Sequence, residues 1–218
     1  MDDPVKRHPT RAEQLDILAC LVAARTRDGD RVPDLGCGLG YVAHLILEKR
    51  PGLSIVGIDR KAEALSQAQV NLAGYAGEFT AVAGDLEDIV GIDVPAGPYR
   101  AIYTALTFHD LPDAAKRAVI GWAAEHLAPD GYFLLYDRLR LTAPGLFDLQ
   151  REIWSRLERV HGVAMRDAAD YDRYLADLGD NNRPGGLGDY MQWFAEAGLA
   201  MQVLHLHGNV ALIGGAKI

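Results

Sequence analysis

Two cysteines are all that the 218 residues contain, Cys20 and Cys37, far apart in the chain. That excludes a disulfide framework and leaves no metal-ligand spacing, so no metal site is expected and a reducing compartment suits the chain. Long apolar runs are also missing. Nothing approaches the roughly 20 residues that a membrane-spanning helix needs, and the opening MDDPVKRHPTRAEQ lacks the apolar segment of a signal peptide. A cytoplasmic location and no membrane partner are the expectations. Positive charge is in deficit: 22 Lys and Arg against 30 Asp and Glu give a formal net charge of -8. Nucleic acids and anionic surfaces call for a basic face, so no nucleic-acid partner is expected. No repeat or low-complexity tract is present.

The composition is that of a globular protein, 49% hydrophobic and 24% charged. Thr10 and Glu13 form a capping box, and Leu15, Leu18, Leu21 and Val22 recur at helical spacing up to about Arg27. Short β-branched runs then alternate with helical patterns. Strands are expected at 31–35, 53–58, 79–83, 101–106 and 132–136, with helices at 41–49, 61–73 and 113–127. Ala128-Pro129-Asp130-Gly131 reads as the turn that closes the last of these helices. This rhythm means βαβ units and a mostly parallel sheet covered on both faces. From Pro144 to Gly179 the rhythm stops, and one or two inserted helices are expected. A helix at 187–197 and a hairpin, 201–207 and 210–216 around Gly208-Asn209, complete the chain. The expected unit is one domain over residues 1–218, with a lid helix within 1–30 and a helical insertion at 144–186 over the acceptor.

Between the first strand and its helix lies Gly36-Cys37-Gly38-Leu39-Gly40. Such a loop lets backbone approach a ligand closely, next to the free N–H groups of a helix terminus. A dinucleotide fingerprint requires G-x-G-x-x-G. Here Tyr41 occupies the third glycine position, which counts against that reading. Cys37 is a small residue packed in the turn rather than a nucleophile. Pro33, inside the strand, removes one ladder donor and predicts a local distortion.

The segment Asp34-Leu35-Gly36-Cys37-Gly38-Leu39-Gly40 resembles the first motif of the class I S-adenosylmethionine-dependent methyltransferases. The resemblance extends to about Tyr136, through Gly57-Ile58-Asp59, Gly84-Asp85-Leu86 and the Ala128–Gly131 segment. It implies an α/β, Rossmann-like, doubly wound sheet of seven strands, mostly parallel, with the C-terminal ribbon antiparallel. It also implies S-adenosyl-L-methionine as cofactor, held by Asp34, Gly36, Gly38, Gly40, Asp59, Asp85, Leu86 and Leu106. Asp59 would accept from a ribose diol and Asp85 from an adenine amino group, although an Asp ending a strand also serves as a helix cap.

The fourth strand runs into Thr107-Phe108-His109-Asp110, where His109 is the candidate general base for an acceptor that must lose a proton. A helix cap or a pocket wall is its alternative role. Tyr136, Arg138, Trp154, Tyr171 and Tyr174 are candidate contacts for a small-molecule acceptor, with His161 a further one, and Arg11 and Gln14 could reach the donor from the first helix. His205 and His207 share a strand face, and a structural role outweighs a metal site there. Methyl transfer leads the readings. Non-methyl use of the same cofactor, by cyclisation or electrostatics, and a non-catalytic binding module are the alternatives. Oligomeric state and the identity of the acceptor are not legible.

Overall fold

The computed structural model describes residues 11–75, 77–162, 168–179 and 182–218. Thr10 of the expected capping box lies outside this set. Helix α1 (Arg11–Arg25) precedes strand β1 (Arg31–Leu35), α2 (Tyr41–Lys49), β2 (Ser54–Asp59), α3 (Ala62–Asn71) and β3 (Phe79–Ala83). Then come β4 (Tyr99–Ala105), α4 (Asp113–His126), β5 (Leu127–Arg138), α5 (Phe147–His161), α6 (Tyr171–Ala176), α7 (Leu187–Glu196), β6 (Leu199–His207) and β7 (Val210–Lys217). The seven strands form one sheet in the order β3-β2-β1-β4-β5-β7-β6. Pairings among β1 to β5 are parallel, whereas β5–β7 and β6–β7 are antiparallel.

This is the doubly wound sheet with an antiparallel ribbon that the resemblance implied, and each face has its own core. On one face α1 and α2 bury Leu15, Leu18, Val22, Ile46 and Leu47 against Val32, Tyr103 and Leu134. On the other, α4 and α7 bury Val119, Ile120, Trp193 and Phe194 against Ile102, Phe133 and Ile213. Burying such side chains contributes about 1.5–3 kcal/mol each, so two-sided cover is what fixes the sheet. Helices α5 and α6 do not join either core. They build a third cluster from Phe147, Trp154, Leu157 and Tyr174.

One boundary differs from expectation. Ala128–Gly131 is not a turn between helix and strand: β5 begins at Leu127, which pairs with Tyr99 across an irregularity before Ala101 pairs with Tyr132. The Pro-Gly composition marks that irregularity in the ladder. Pro33 leaves the β2 ladder intact from Arg31↔Ser54 to Leu35↔Ile58, while the β4 side holds a single pair, Asp34↔Tyr103. A missing donor accounts for the weaker side.

Helix α1 is tied to the end of the sheet by one buried amide. Gln14 Nε2 donates to Val210 O at 3.0 Å and lies 3.2 Å from His205 Nδ1, and Gln14 Oε1 accepts from the Tyr136 hydroxyl at 3.1 Å. Gln14 is fully buried, so it acts as a strut and does not extend towards a ligand.

Candidate functional site

Strand order reverses between β1 and β4, and in an open α/β sheet the crevice at the carboxyl ends of such a pair receives the ligand. Two segments line it: the glycine loop after β1 and residues 106–111 after β4. The loop is pinned from below, because Gly36 N and Cys37 N both donate to Ile58 O at 2.8 and 2.9 Å. Thr107 Oγ1 donates to Gly36 O at 3.3 Å and joins the two segments. Gly36 has φ +82°, and a Cβ there would stand 2.3 Å from Thr107 Oγ1. Gly38 has φ +52° and nothing within 4 Å of its Cβ position. One glycine permits packing and the other leaves room.

A cavity of about 370 Å³ opens beside the loop, walled by Gly36, Gly38, Asp59, Asp85, Leu86 and Asp110 among others. Asp59 Oδ2 accepts from Gly38 N and Oδ1 from Lys61 N, both at 2.9 Å. These bonds fix the carboxylate at the strand end and leave lone pairs on both oxygens for a diol. Asp85 caps the 3₁₀ turn Leu86–Gly91, with Oδ1 accepting from Glu87 N at 3.0 Å. The cap and the cavity wall are therefore one residue, with Leu86 beside it.

Across the loop a second cavity, about 220 Å³, is lined by Asp34, Gly36, Cys37, Leu39, Tyr41 and Leu106 among others. Asp34 is buried, and the Tyr103 hydroxyl donates to its Oδ2 at 2.8 Å. Burial pushes the Asp34 carboxyl up to about 7 against the opposing Tyr103 hydrogen bond. A ligand cation beside Asp34 would favour its charged form. Burial likewise raises the Cys37 thiol, so it is no thiolate at neutral pH. Leu106 has φ +56°, a conformation that costs a non-glycine residue about 1–3 kcal/mol. Gly40 stands outside both cavities as the N-cap of α2.

His109 is buried beside β5. Its Nδ1 lies 2.6 Å from Asp137 Oδ1, and its backbone N donates to Asp137 Oδ2 at 2.9 Å. Arg138 Nη2 stands 2.6 Å from His109 Nε2. A guanidinium only donates, so Arg138 meets Nε2 as a donor, and Asp110 Oδ1 stands 3.4 Å from the same nitrogen. Burial works to raise the Asp137 carboxyl, but His109 and the two backbone N–H donors outweigh it and hold it below the usual range. Asp137 was absent from the sequence-derived candidates. Its signal was a charged residue directly after the apolar run Tyr132–Tyr136 of β5.

The aromatic candidates occupy packing positions. Tyr136 is fully buried, and burial raises its hydroxyl above the ordinary tyrosine range. Trp154 and Tyr174 are enclosed with Phe147, ring centroids 5.9 and 5.6 Å away. Tyr171 donates to Leu141 O at 2.9 Å, and the Tyr174 hydroxyl accepts from Leu141 N at 3.0 Å. These rings hold the insertion to the chain that follows β5. His161 ends α5 at an exposed position. Among the described residues no group of three or more His, Cys, Asp or Glu side chains is placed to hold a metal, and no helix is long and apolar enough to cross a membrane.

Comparison with known proteins bears on this site. A family described as "Methyltransferase domain" matches residues 32–131. A trans-aconitate 2-methyltransferase of Streptomyces avermitilis is 37% identical over 161 residues, which is 72% of this chain and 54% of the relative. A ribosomal RNA small subunit methyltransferase C of Pasteurella multocida is 34% identical over 54% of this chain and 35% of its own. The chain thus spans about half the length, or less, of these relatives. Among solved structures, an O-methyltransferase family protein from Burkholderia thailandensis superposes with a TM-score of 0.70 at 18% identity, covering 94% of this chain and 55% of that one. That likeness is one of fold.

Proposed function

We propose that the chain is a class I S-adenosylmethionine-dependent methyltransferase, as its match to the methyltransferase domain family and its likeness to a trans-aconitate 2-methyltransferase support, and that it transfers the methyl group of S-adenosyl-L-methionine to a small-molecule acceptor. One observation carries the reading: Asp59 and Asp85 wall a single cavity with Gly36 and Gly38, while Asp34 lines the space just across the same loop. These residues fit the donor's three polar parts in order. Asp59 offers two carboxylate oxygens to a ribose diol, Asp85 and Leu86 offer an acceptor and an apolar edge to adenine, and Asp34 offers negative charge to an ammonium. Gly38, open on its Cβ side, admits a ligand against the backbone.

When bound, the donor supplies an activated methyl group on a sulfonium leaving group. The chain's contribution is then to hold acceptor and donor in line and keep water out. Leu106 and Thr107 meet the glycine loop at the ends of β1 and β4, where that alignment is needed. His109 is the base for an acceptor that must lose a proton, and this role requires Arg138 to leave its Nε2. Two relatives named trans-aconitate 2-methyltransferases favour a small acceptor. The relatives named ribosomal RNA methyltransferases point elsewhere, but a net charge of -8 opposes an RNA partner.

The test is calorimetry with S-adenosylhomocysteine on the wild type and Asp59→Ala, followed by mass spectrometry for methylated product over an acceptor panel. Binding that Asp59→Ala weakens by about tenfold or more is expected, since a charge-assisted hydrogen-bond pair is lost. Absence of binding by the wild type would sink the proposal. Binding without any methylated product would favour a non-catalytic module, and cofactor turnover to a cyclised product would favour the non-methyl reading.

A further inference from the structure

The outer face of α5 is apolar and uncovered among the described residues. Leu149, Ile153 and Val160, at positions i, i+4 and i+11, fall on one side of the helix and are 64, 44 and 59% exposed. They lie beside the face that buries Trp154 and Leu157 in the third cluster. Next to them runs a groove of about 390 Å³ between α5, the start of α7 and the end of β6, where Leu146, Leu187 and Leu206 are exposed too. These six side chains present on the order of 500 Å² of aliphatic surface, the scale of the largest patch on a whole monomer. One side of a standard protein interface is about 800 Å², a little over half of it non-polar. The patch has the size of an interface.

The charges along it say which partner fits. Helix α5 carries three acids and three bases, in a chain whose net charge is -8. Two copies therefore meet here without the repulsion that the rest of their surfaces imposes. Asp148 and Glu152 flank the first half of the apolar face, and Arg156 and Arg159 flank the second, all of them exposed. Asp148 is 3.7 Å from Arg151, whereas Glu152, Arg156 and Arg159 have no salt bridge among the described residues. Glu152 and Arg156 are four apart, a spacing that permits a pair within one helix, yet they do not form one. A flank acidic at one end and basic at the other is complementary to itself run backwards.

We propose that α5 is the contact of a homodimer, packed antiparallel on α5 of a second copy about a two-fold axis. Such an interface is isologous, so every contact in it occurs twice. Leu149 and Ile153 of one copy fill the groove beside Leu146, Leu187 and Leu206 of the other. Glu152 of each copy meets Arg156 of the partner subunit. The association also steadies the insertion. Helices α5 and α6 rest on a cluster of only five buried residues outside both sheet cores, and the second copy covers the apolar side that this cluster leaves open.

The experiment is sedimentation equilibrium of the full chain up to about 100 µM, above the micromolar limit of interfaces of this size. A dimer of 23.7 kDa subunits is expected, with a melting temperature that rises with protein concentration. Ile153→Asp should weaken the dimer by about a hundredfold or more, because each dimer then buries two unpaired charges. Glu152→Arg and Arg156→Glu should each weaken it by roughly tenfold, and the double exchange E152R/R156E should recover most of that loss. A role confined to folding of the subunit would give no such recovery. The three positions are exposed, and unchanged far-ultraviolet circular dichroism certifies that each variant is folded. A monomer at every concentration overturns the proposal, as does a dimer indifferent to Ile153→Asp or a double exchange without recovery. A monomer that binds an apolar dye, and loses it on Ile153→Asp, assigns the groove to a small apolar ligand instead.

Discussion

Replacing Asp34 by Asn should make the unliganded protein more stable and a poorer binder of its donor. The carboxyl of Asp34 is raised from 3.8 to about 7 because it is buried, with one hydroxyl donor and, among the described residues, no cation beside it. Three units at 1.36 kcal/mol each amount to about 4 kcal/mol of instability carried by the ionised form. The folded state binds this proton more tightly than the unfolded chain, so the contribution is most favourable below pH ~4, falls as pH rises towards about 7, and is level above that. Asn keeps an oxygen for the Tyr103 hydroxyl and carries no charge. In urea titrations at pH 8 the variant should exceed the wild type by up to about 4 kcal/mol, and at pH 5 by less than half of that. Wild-type affinity for S-adenosylhomocysteine should rise as pH passes through about 7, and in the variant that dependence should vanish. An advantage that does not change with pH, or a variant less stable at pH 8, would refute the assignment of Asp34 as a buried charge held for a ligand cation.

The two loop glycines should fail differently. Gly36→Ala drives a Cβ into Thr107 and should lower the melting temperature and donor affinity together, while Gly38→Ala, facing open space, should cost about 1 kcal/mol of stability but most of the donor affinity. Comparable losses of melting temperature would contradict the geometry. Asp137→Asn should destabilise by about 1–3 kcal/mol at pH 7 through the lost ionic hydrogen bonds to His109 and the backbone. Because the Asp137 carboxyl is depressed in the fold, that deficit should be full above the unfolded value near 4 and shrink as pH falls below it, which denaturation at pH 7 and pH 3 compares.

The donor half was legible because its signals are local. Gly36 and Gly38 bracket a turn, Asp59 ends β2, and Asp85 follows β3 by two residues, at strands that alternation locates. The third cluster was half legible: one or two helices were expected between Pro144 and Gly179, but nothing in their sequence says that Trp154 and Tyr174 face each other and not a ligand. The seat of Arg183 was not legible at all. Arg183 meets His109 across 74 positions and Lys116 across 67, and no spacing rule encodes such a meeting. Strand β5 was shortened for a different reason, since Pro129 and Gly131 have the composition of a turn and the ladder tolerates them only through an irregularity.

The buried amide of Gln14 sets an order on folding. Its Nε2 reaches a carbonyl 196 positions later, on the last strand of the sheet. As the chain leaves the ribosome, α1 emerges before the sheet it covers, yet docking it early would seal a polar group away from water with no partner, at a cost of about 1–3 kcal/mol. The first helix is thus better kept loose until β7 has paired with β5. Closure of that side of the sheet, and with it the Leu15 wall of the cavity beside Asp34, waits for β7, and a chain halted before Val210 has no finished site.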